Sequence, residues 1–467
     1  MAQINKPSEY FNTLIWTGDG NATRSFTGVG FRPDWIWVKE RNDTANHNLW
    51  DVIRGLNKIV QTSTTSAEIT DPSSGDLSSF DSDGFSVQAG SSSTDNFNQN
   101  SQTYVAWNWR AAGTAPSKTY TVKVVSDSGN KYRFDDFGSS AVTLVISEGG
   151  TYTFDQSDSS NSGHPLRFST TSDGTHGGGS EYTTGVTTNG TPGQAGAYTR
   201  ITVAASAPTL YYYCTQHSGM GGQANTPTTN SFSDFSGSIQ SNVSPNTTSG
   251  FSIVSYTGNS TAGATIGHGL GVAPDLILTR QLSNAGRFWG GYFSKMGNTG
   301  SMAINDTQAF DTSTTYWNDT TPTSSLFTVG TNGDTNSSGG MIAYCFSDIK
   351  GFSKYGTYEG NGNSDGPFIY TGFKPAFVIT KRADTGGDNW HVLDSKRDVN
   401  NPAAQVLQPN NNAAESTTGT SQIDFCANGF KIRGTGSTVN TSGLTYVFIA
   451  IAENPLVGTN NIPATAR

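Results

Sequence analysis

The sequence predicts an all-β protein built from tandem antiparallel β-sandwich domains, and three observations carry that expectation. Short apolar runs such as Trp35-Ile-Trp-Val38, Leu276-Ile-Leu278 and Ala376-Phe-Val-Ile379 are bounded by Gly, Pro, Asn and Asp, the punctuation of strands and turns. Period-two alternation sets Val105, Trp107 and Trp109 on one face of a strand and Tyr104, Ala106 and Asn108 on the other. No long stretch carries the period of an amphipathic helix. Apolar sheet faces bury best against each other, which favours sandwiches.

The first element recurs. Gly30-Phe-Arg-Pro33, Gly271-Val-Ala-Pro274 and Gly372-Phe-Lys-Pro375 each open an apolar run, following Trp16-Thr-Gly-Asp19, Tyr256-Thr-Gly-Asn259 and Tyr358-Glu-Gly-Asn361. Each segment closes on a second run ending at Ala106, Ala343 or Ala450, and the spans from opening aromatic to alanine agree to within a few residues. Units of this size can bury cores of their own, so the chain divides into a first repeat (1–115), a second (251–351) and a third with a C-terminal tail (352–467). The first two openings lie much farther apart than the last two. The excess marks an inserted domain at 116–226, and the Ser/Thr/Pro/Gly-rich stretch 227–250 reads as a linker or an extended surface strand. The second repeat departs from the others, because it lacks the turn that Asn428-Gly-Phe430 and Ser82-Asp-Gly-Phe85 supply.

Within the insertion, Cys214, His217 and Met220 stand at Cys-x2-His-x2-Met spacing just after the apolar run 210–213. One short loop thus offers a thiolate, an imidazole and a thioether, the soft set that suits copper. His164, where a strand ends and restarts at Leu166, offers a second imidazole. This segment resembles the cupredoxins, the blue-copper domain family, and the resemblance implies a copper site of His164, Cys214, His217 and Met220. His176, close by, offers a substitute ligand but reads rather as a solvated loop histidine. His47, His268 and His391 share no metal-like spacing and read as surface or turn residues; Cys345 and Cys426 read as ordinary half-buried thiols.

The repeats carry a second resemblance. Tyr358-Glu-Gly-Asn-Gly362, Gly372-Phe-Lys-Pro375, Trp390-His-Val-Leu-Asp-Ser395, Asn428-Gly-Phe430 and Ala452-Glu-Asn-Pro455 look like the repeated domains of tail-fibre and other virion proteins of marine tailed phages. That resemblance implies a virion structural protein, a tail fibre or tail-associated adhesin, partnered by other tail proteins and a host receptor, with glycans among the candidates. A symmetric homo-oligomer, a trimer, is expected with it, as is assembly in the host cytoplasm. A capsid-decorating fibre, a copper redox protein and a polysaccharide depolymerase are the alternatives.

Charge and motifs narrow the field. A net charge of −9, with 27 basic against 36 acidic residues and no basic cluster, argues against neutralising nucleic-acid phosphates. Three cysteines without a paired motif argue against disulfide scaffolding. Nothing at the start resembles a signal peptide, and no run approaches the ~20 apolar residues of a membrane helix. There is no phosphate loop, nucleophile elbow or zinc helix, so no catalytic residue is assigned. Asp81-Ser-Asp83-Gly84 lacks the later acidic ligands of a calcium loop and reads as a strand-joining turn.

Overall fold

The computed structural model describes residues 2–457 and 464–465; most of the expected C-terminal tail lies outside them. The protein is all-β. In the first repeat the closing strand Thr103–Trp109 lies between Phe11–Thr17 and Trp35–Glu40, antiparallel to both, and Asn48–Asp51 extends the sheet beyond Trp35–Glu40. The same order recurs in the second repeat as Phe251–Gly258, Gly339–Phe346, Leu276–Gln281 and Gly290–Phe293. In the third it is Ser353–Glu359, Thr445–Pro455, Phe373–Arg382 and His391–Asp394.

A smaller antiparallel sheet covers one face of each. It has three strands in the first repeat (Thr23–Thr27, Gly84–Gln88, Asp76–Asp81) and three in the third (Phe368–Tyr370, Gly429–Ile432, Ile423–Cys426). The second repeat has only two, Ala264–Gly267 and Leu326–Val329, and a one-turn helix, Thr314–Trp317, adds the buried Trp317. This is the repeat whose sequence lacks the tight turn. In the first repeat that turn joins Asp76–Asp81 to Gly84–Gln88, and a Cβ on Gly84 would lie 2.0 Å from the Phe26 carbonyl oxygen.

The aromatic residue that opens each repeat serves as an anchor. Trp16 Nε1, Tyr256 OH and Tyr358 OH donate to the carbonyls of Phe97, Thr335 and Val439 at 2.8, 2.5 and 2.9 Å. The next residue is in each case a buried asparagine, Asn98, Asn336 or Asn440. Their Nδ2 atoms donate to the carbonyls of Asn21, Thr261 and Asn363 at 2.9, 2.9 and 2.7 Å, satisfying loop carbonyls that burial would otherwise leave unpaired.

The repeats do not close their cores alone. Beyond the core under its own small sheet, each contributes its opposite face to one shared core. There Phe11 meets Phe377, Trp35 meets Tyr344 and Phe293 meets Trp390, with ring centroids 5.5, 5.5 and 5.8 Å apart, separations within the aromatic-pair range. A cavity of about 30 Å³ lies where the three sheets meet, lined by the equivalent residues Trp35, Leu276 and Phe377 among others. Backbone hydrogen bonds close the ring: Glu415 N to Arg41 O (2.6 Å), Glu68 N to Leu282 O (2.7 Å) and Phe310 N to Ala383 O (2.9 Å). Each bond joins a different pair of repeats in the same sense. Two tryptophans link the same repeats in the opposite sense, Trp289 Nε1 donating to Gln61 O and Trp390 Nε1 to Ala303 O. His47 takes the equivalent place in the first repeat, facing the Gln408 backbone.

Three expectations therefore change. The units are not independently packed, because strands such as Trp35–Glu40 are buried along their whole length and need cover on both faces. His47, His268 and His391 are buried, at 0, 0 and 4 % exposure, not surface residues; Cys345 is likewise fully buried. Residues 227–250 are no free linker, since Phe232–Asp234 and Ser241–Asn246 extend the second repeat's sheet.

The insertion is a sandwich of a five-stranded and a four-stranded sheet. Two of its pairings are parallel: Ser117–Ser126 with Thr151–Asp155, and Leu144–Val145 with Gly222–Asn225. Tyr120, Phe134, Phe154, Phe168 and Tyr212 fill its core, and Phe235 from the connecting segment joins them. Tyr120 OH donates to Ser233 O at 2.8 Å and Val145 N to Ser233 Oγ at 2.9 Å, so the insertion is packed onto the segment that enters the second repeat.

Two buried ion pairs sit at the seams. Arg54 Nε meets Asp51 Oδ2 and Arg397 Nε meets Asp394 Oδ2, each at 2.5 Å. Tyr344 OH of the second repeat donates to Asp51, and Trp107 Nε1 of the first to Asp394. Removing one charge strands its partner in low dielectric. Asp394→Asn is expected to destabilise the chain by about 3–5 kcal/mol in urea unfolding; a loss under ~1 kcal/mol, the range of a surface pair, would contradict the seam's role.

Candidate metal centre

Cys214 ends the strand Leu210–Cys214, which lies between Leu166–Ser169 and Gly222–Asn225. Register sets Leu166 opposite Cys214, so His164, two residues upstream, is brought to the same end of the sheet. Chain reversal after Cys214 returns His217. The result is a cluster in which one ligand atom from each of His164, Cys214 and His217 lies within 4.8 Å of the others.

The separations suit one ion. Cys214 Sγ lies 3.9 Å from His164 Nδ1 and 3.7 Å from His217 Nδ1, and the imidazole centroids are 4.5 Å apart. Metal–sulfur and metal–nitrogen bonds of about 2.3 and 2.0 Å would place S and N about 3.5 Å apart at a tetrahedral angle and about 3.7 Å apart at a trigonal one. The observed separations lie nearer the trigonal value, and a set of two imidazoles, a thiolate and a thioether would suit copper. Met220, the expected thioether donor, is buried in the domain core. Exposure is graded around the cluster: Cys214 is buried, His164 half-buried and His217 exposed.

The backbone behind the ligands is held. The His164 carbonyl accepts from Tyr132 OH and from Gln156 Nε2, both at 2.8 Å, while Gln156 Oε1 accepts from Leu166 N at 3.1 Å. Tyr132 N donates to the Met220 carbonyl at 3.0 Å. One tyrosine therefore braces both ligand segments. Burial, and then the nearby Cys214, push its phenol well above the ordinary range, keeping it protonated as the donor this role needs. His176 is exposed, as a loop histidine should be, but its Nε2 lies 3.0 Å from the Cys214 carbonyl oxygen. Tyr132 and Gln156 carry no sequence signal, since neither residue type nor spacing distinguishes them from ordinary strand and turn residues.

Burial, and then His217 beside it, hold the His164 imidazole below its ordinary value of 6.5. A depressed value keeps the ring neutral, with Nδ1 free to bind a metal, to more acidic pH than a free imidazole. An NMR titration of metal-free protein should place the His164 midpoint below 6.5, and His217→Ala should move it upward; an unchanged midpoint would break the coupling between the rings.

Among known families, residues 6–135 and 163–455 match one described as a domain of unknown function (DUF7483). All four expected ligands fall inside the matched residues. No curated protein and no solved structure matches the chain.

Proposed function

The chain belongs to the DUF7483 family, and on that premise we propose that it is a non-enzymatic structural protein of a phage virion, a tail fibre or tail-associated adhesin, whose inserted cupredoxin-like domain binds one copper ion. The observation that carries the copper reading is the set of three soft and borderline donors gathered within 4.8 Å at the end of a sandwich. Cys214 as thiolate, His164 and His217 through Nδ1, and Met220 through its thioether would hold the ion. Bound copper supplies a one-electron couple. The chain's own residues do the rest: burial of Cys214 keeps bulk water from the sulfur, Tyr132 and Gln156 hold His164, and exposed His217 gives the site its opening. Because the ion binds the folded site, it also stabilises the domain by linkage, about 2.7 kcal/mol at a free concentration of 100 Kd.

The virion reading draws on the resemblance of the repeats and on their physical form. A ring of three sheets locked by shared aromatics is a rigid platform, and rigid platforms present loops for recognition at low entropic cost. Weak contacts from several copies on one particle add through effective concentration.

Cu(II) added to the whole chain should produce an intense blue colour and raise the melting temperature, and Cys214→Ser should abolish the colour. Absence of both colour and bound copper would retire the metal site. Separately, electron microscopy of purified particles should place the chain on the tail; finding it on the capsid favours a decorating fibre, and its absence from particles removes the virion reading.

A further inference from the structure

Residues 170–181 form a strap beside the metal loop. Both ends are tied: Ser169 bridges Glu181, Ser169 Oγ donates to Ser180 O at 2.8 Å, and Arg167 pairs with Glu181 at 3.2 Å. Between these anchors a 3-10 turn, Gly174–Gly177, packs on the strands Leu166–Ser169 and Leu210–Cys214. The fit is close, because a Cβ on Gly174 would come within 2.5 Å of the Tyr213 ring.

The strap grips the ligand loop at two places. At the first, His176 Nε2 lies 3.0 Å from the Cys214 carbonyl oxygen; a carbonyl only accepts, so Nε2 carries the proton and donates. At the second, Gly219 N donates to Asp173 Oδ1 at 2.9 Å. Cys214 is the first ligand of the loop and Gly219 immediately precedes the last, Met220. From the other side Lys131 Nζ donates to the Gly219 carbonyl. Gly219, with φ of +73°, would otherwise leave the chain before Met220 free to sample many conformations.

We propose that Asp173 and His176 are positioning residues that fix the coordination geometry of the Cys214–Met220 loop before the metal arrives. Neither is a ligand. His176 holds the Cys214 peptide, and with it the direction of the Sγ atom; Asp173 holds the Gly219 amide, and with it the approach of the Met220 thioether. The proposal rests on the copper reading above. Partners of this outer kind orient ligands, and losing them weakens metal binding by about 10- to 100-fold.

The test uses the whole chain as wild type and as His176→Ala, Asp173→Ala, His176→Gln and Asp173→Asn. Copper affinity is read by chelator competition, the visible charge-transfer band by absorbance, and metal-free stability by thermal melting. The alanine variants are expected to bind copper about 10- to 100-fold more weakly and to shift the band. Gln, which retains a donor, and Asn, which retains an acceptor, should recover both properties toward wild type. Alanine variants that match wild type in affinity and band position, or that lose only metal-free stability, overturn the strap's role and leave the site standing. A wild-type chain that binds no copper removes the site and the strap's role together.

Discussion

Double-sided burial of the central sheets is the constraint on which the rest depends. The strands Trp35–Glu40 and Leu276–Gln281 are buried at every position, so neither face can be left to water. Each repeat covers one face with its small sheet. The other face is covered only when three repeats meet, and the aromatic pairs Phe11–Phe377, Trp35–Tyr344 and Phe293–Trp390 mark the three seams. Once the seams are dry, polar groups there must be paired internally. Asp51 and Asp394 meet that demand twice over, accepting from an arginine of their own repeat and from Tyr344 or Trp107 of a neighbour.

Rigidity passes from this ring to the candidate metal centre through a short chain of contacts. Ser241–Asn246 pairs with Phe251–Gly258, Phe232–Asp234 pairs with Ser241–Asn246, and Phe235 lies in the inserted sandwich's core. Cys214 stands in a central strand of that sandwich. The candidate ligands are therefore positioned by sheet register and do not depend on a flexible tether.

Much of this was legible in the sequence, for identifiable reasons. Turn residues and β-rich runs are local signals, and they marked the strands. The recurrence of an opening aromatic, a proline and a closing alanine marked three equivalent units because the same hydrogen bond, from Trp16, Tyr256 or Tyr358, recurs in each. The candidate metal cluster was legible because Cys214 and His217 lie on one loop, and sheet register brings in His164. The shared core depends on which sheet faces meet, a relation between distant segments, although the unbroken apolar run Trp35-Ile-Trp-Val38 signals a strand buried on both sides. Burial of His47 depends on which partner repeat faces it, a relation between distant segments that spacing does not encode. The segment 227–250 looked like a tether because its strands are short and rich in Ser and Asn, yet backbone pairing is indifferent to such side chains.

Because the threefold arrangement is made from one polypeptide, each third is free to diverge. A ring of identical subunits would repeat every change three times. Here the first third has histidine where the others have tryptophan, the middle third has lost a strand from its small sheet, and a single guest sandwich interrupts the chain between the first and second. The assembly thus combines near-symmetric packing with asymmetric decoration, and each ring displays one guest domain instead of three.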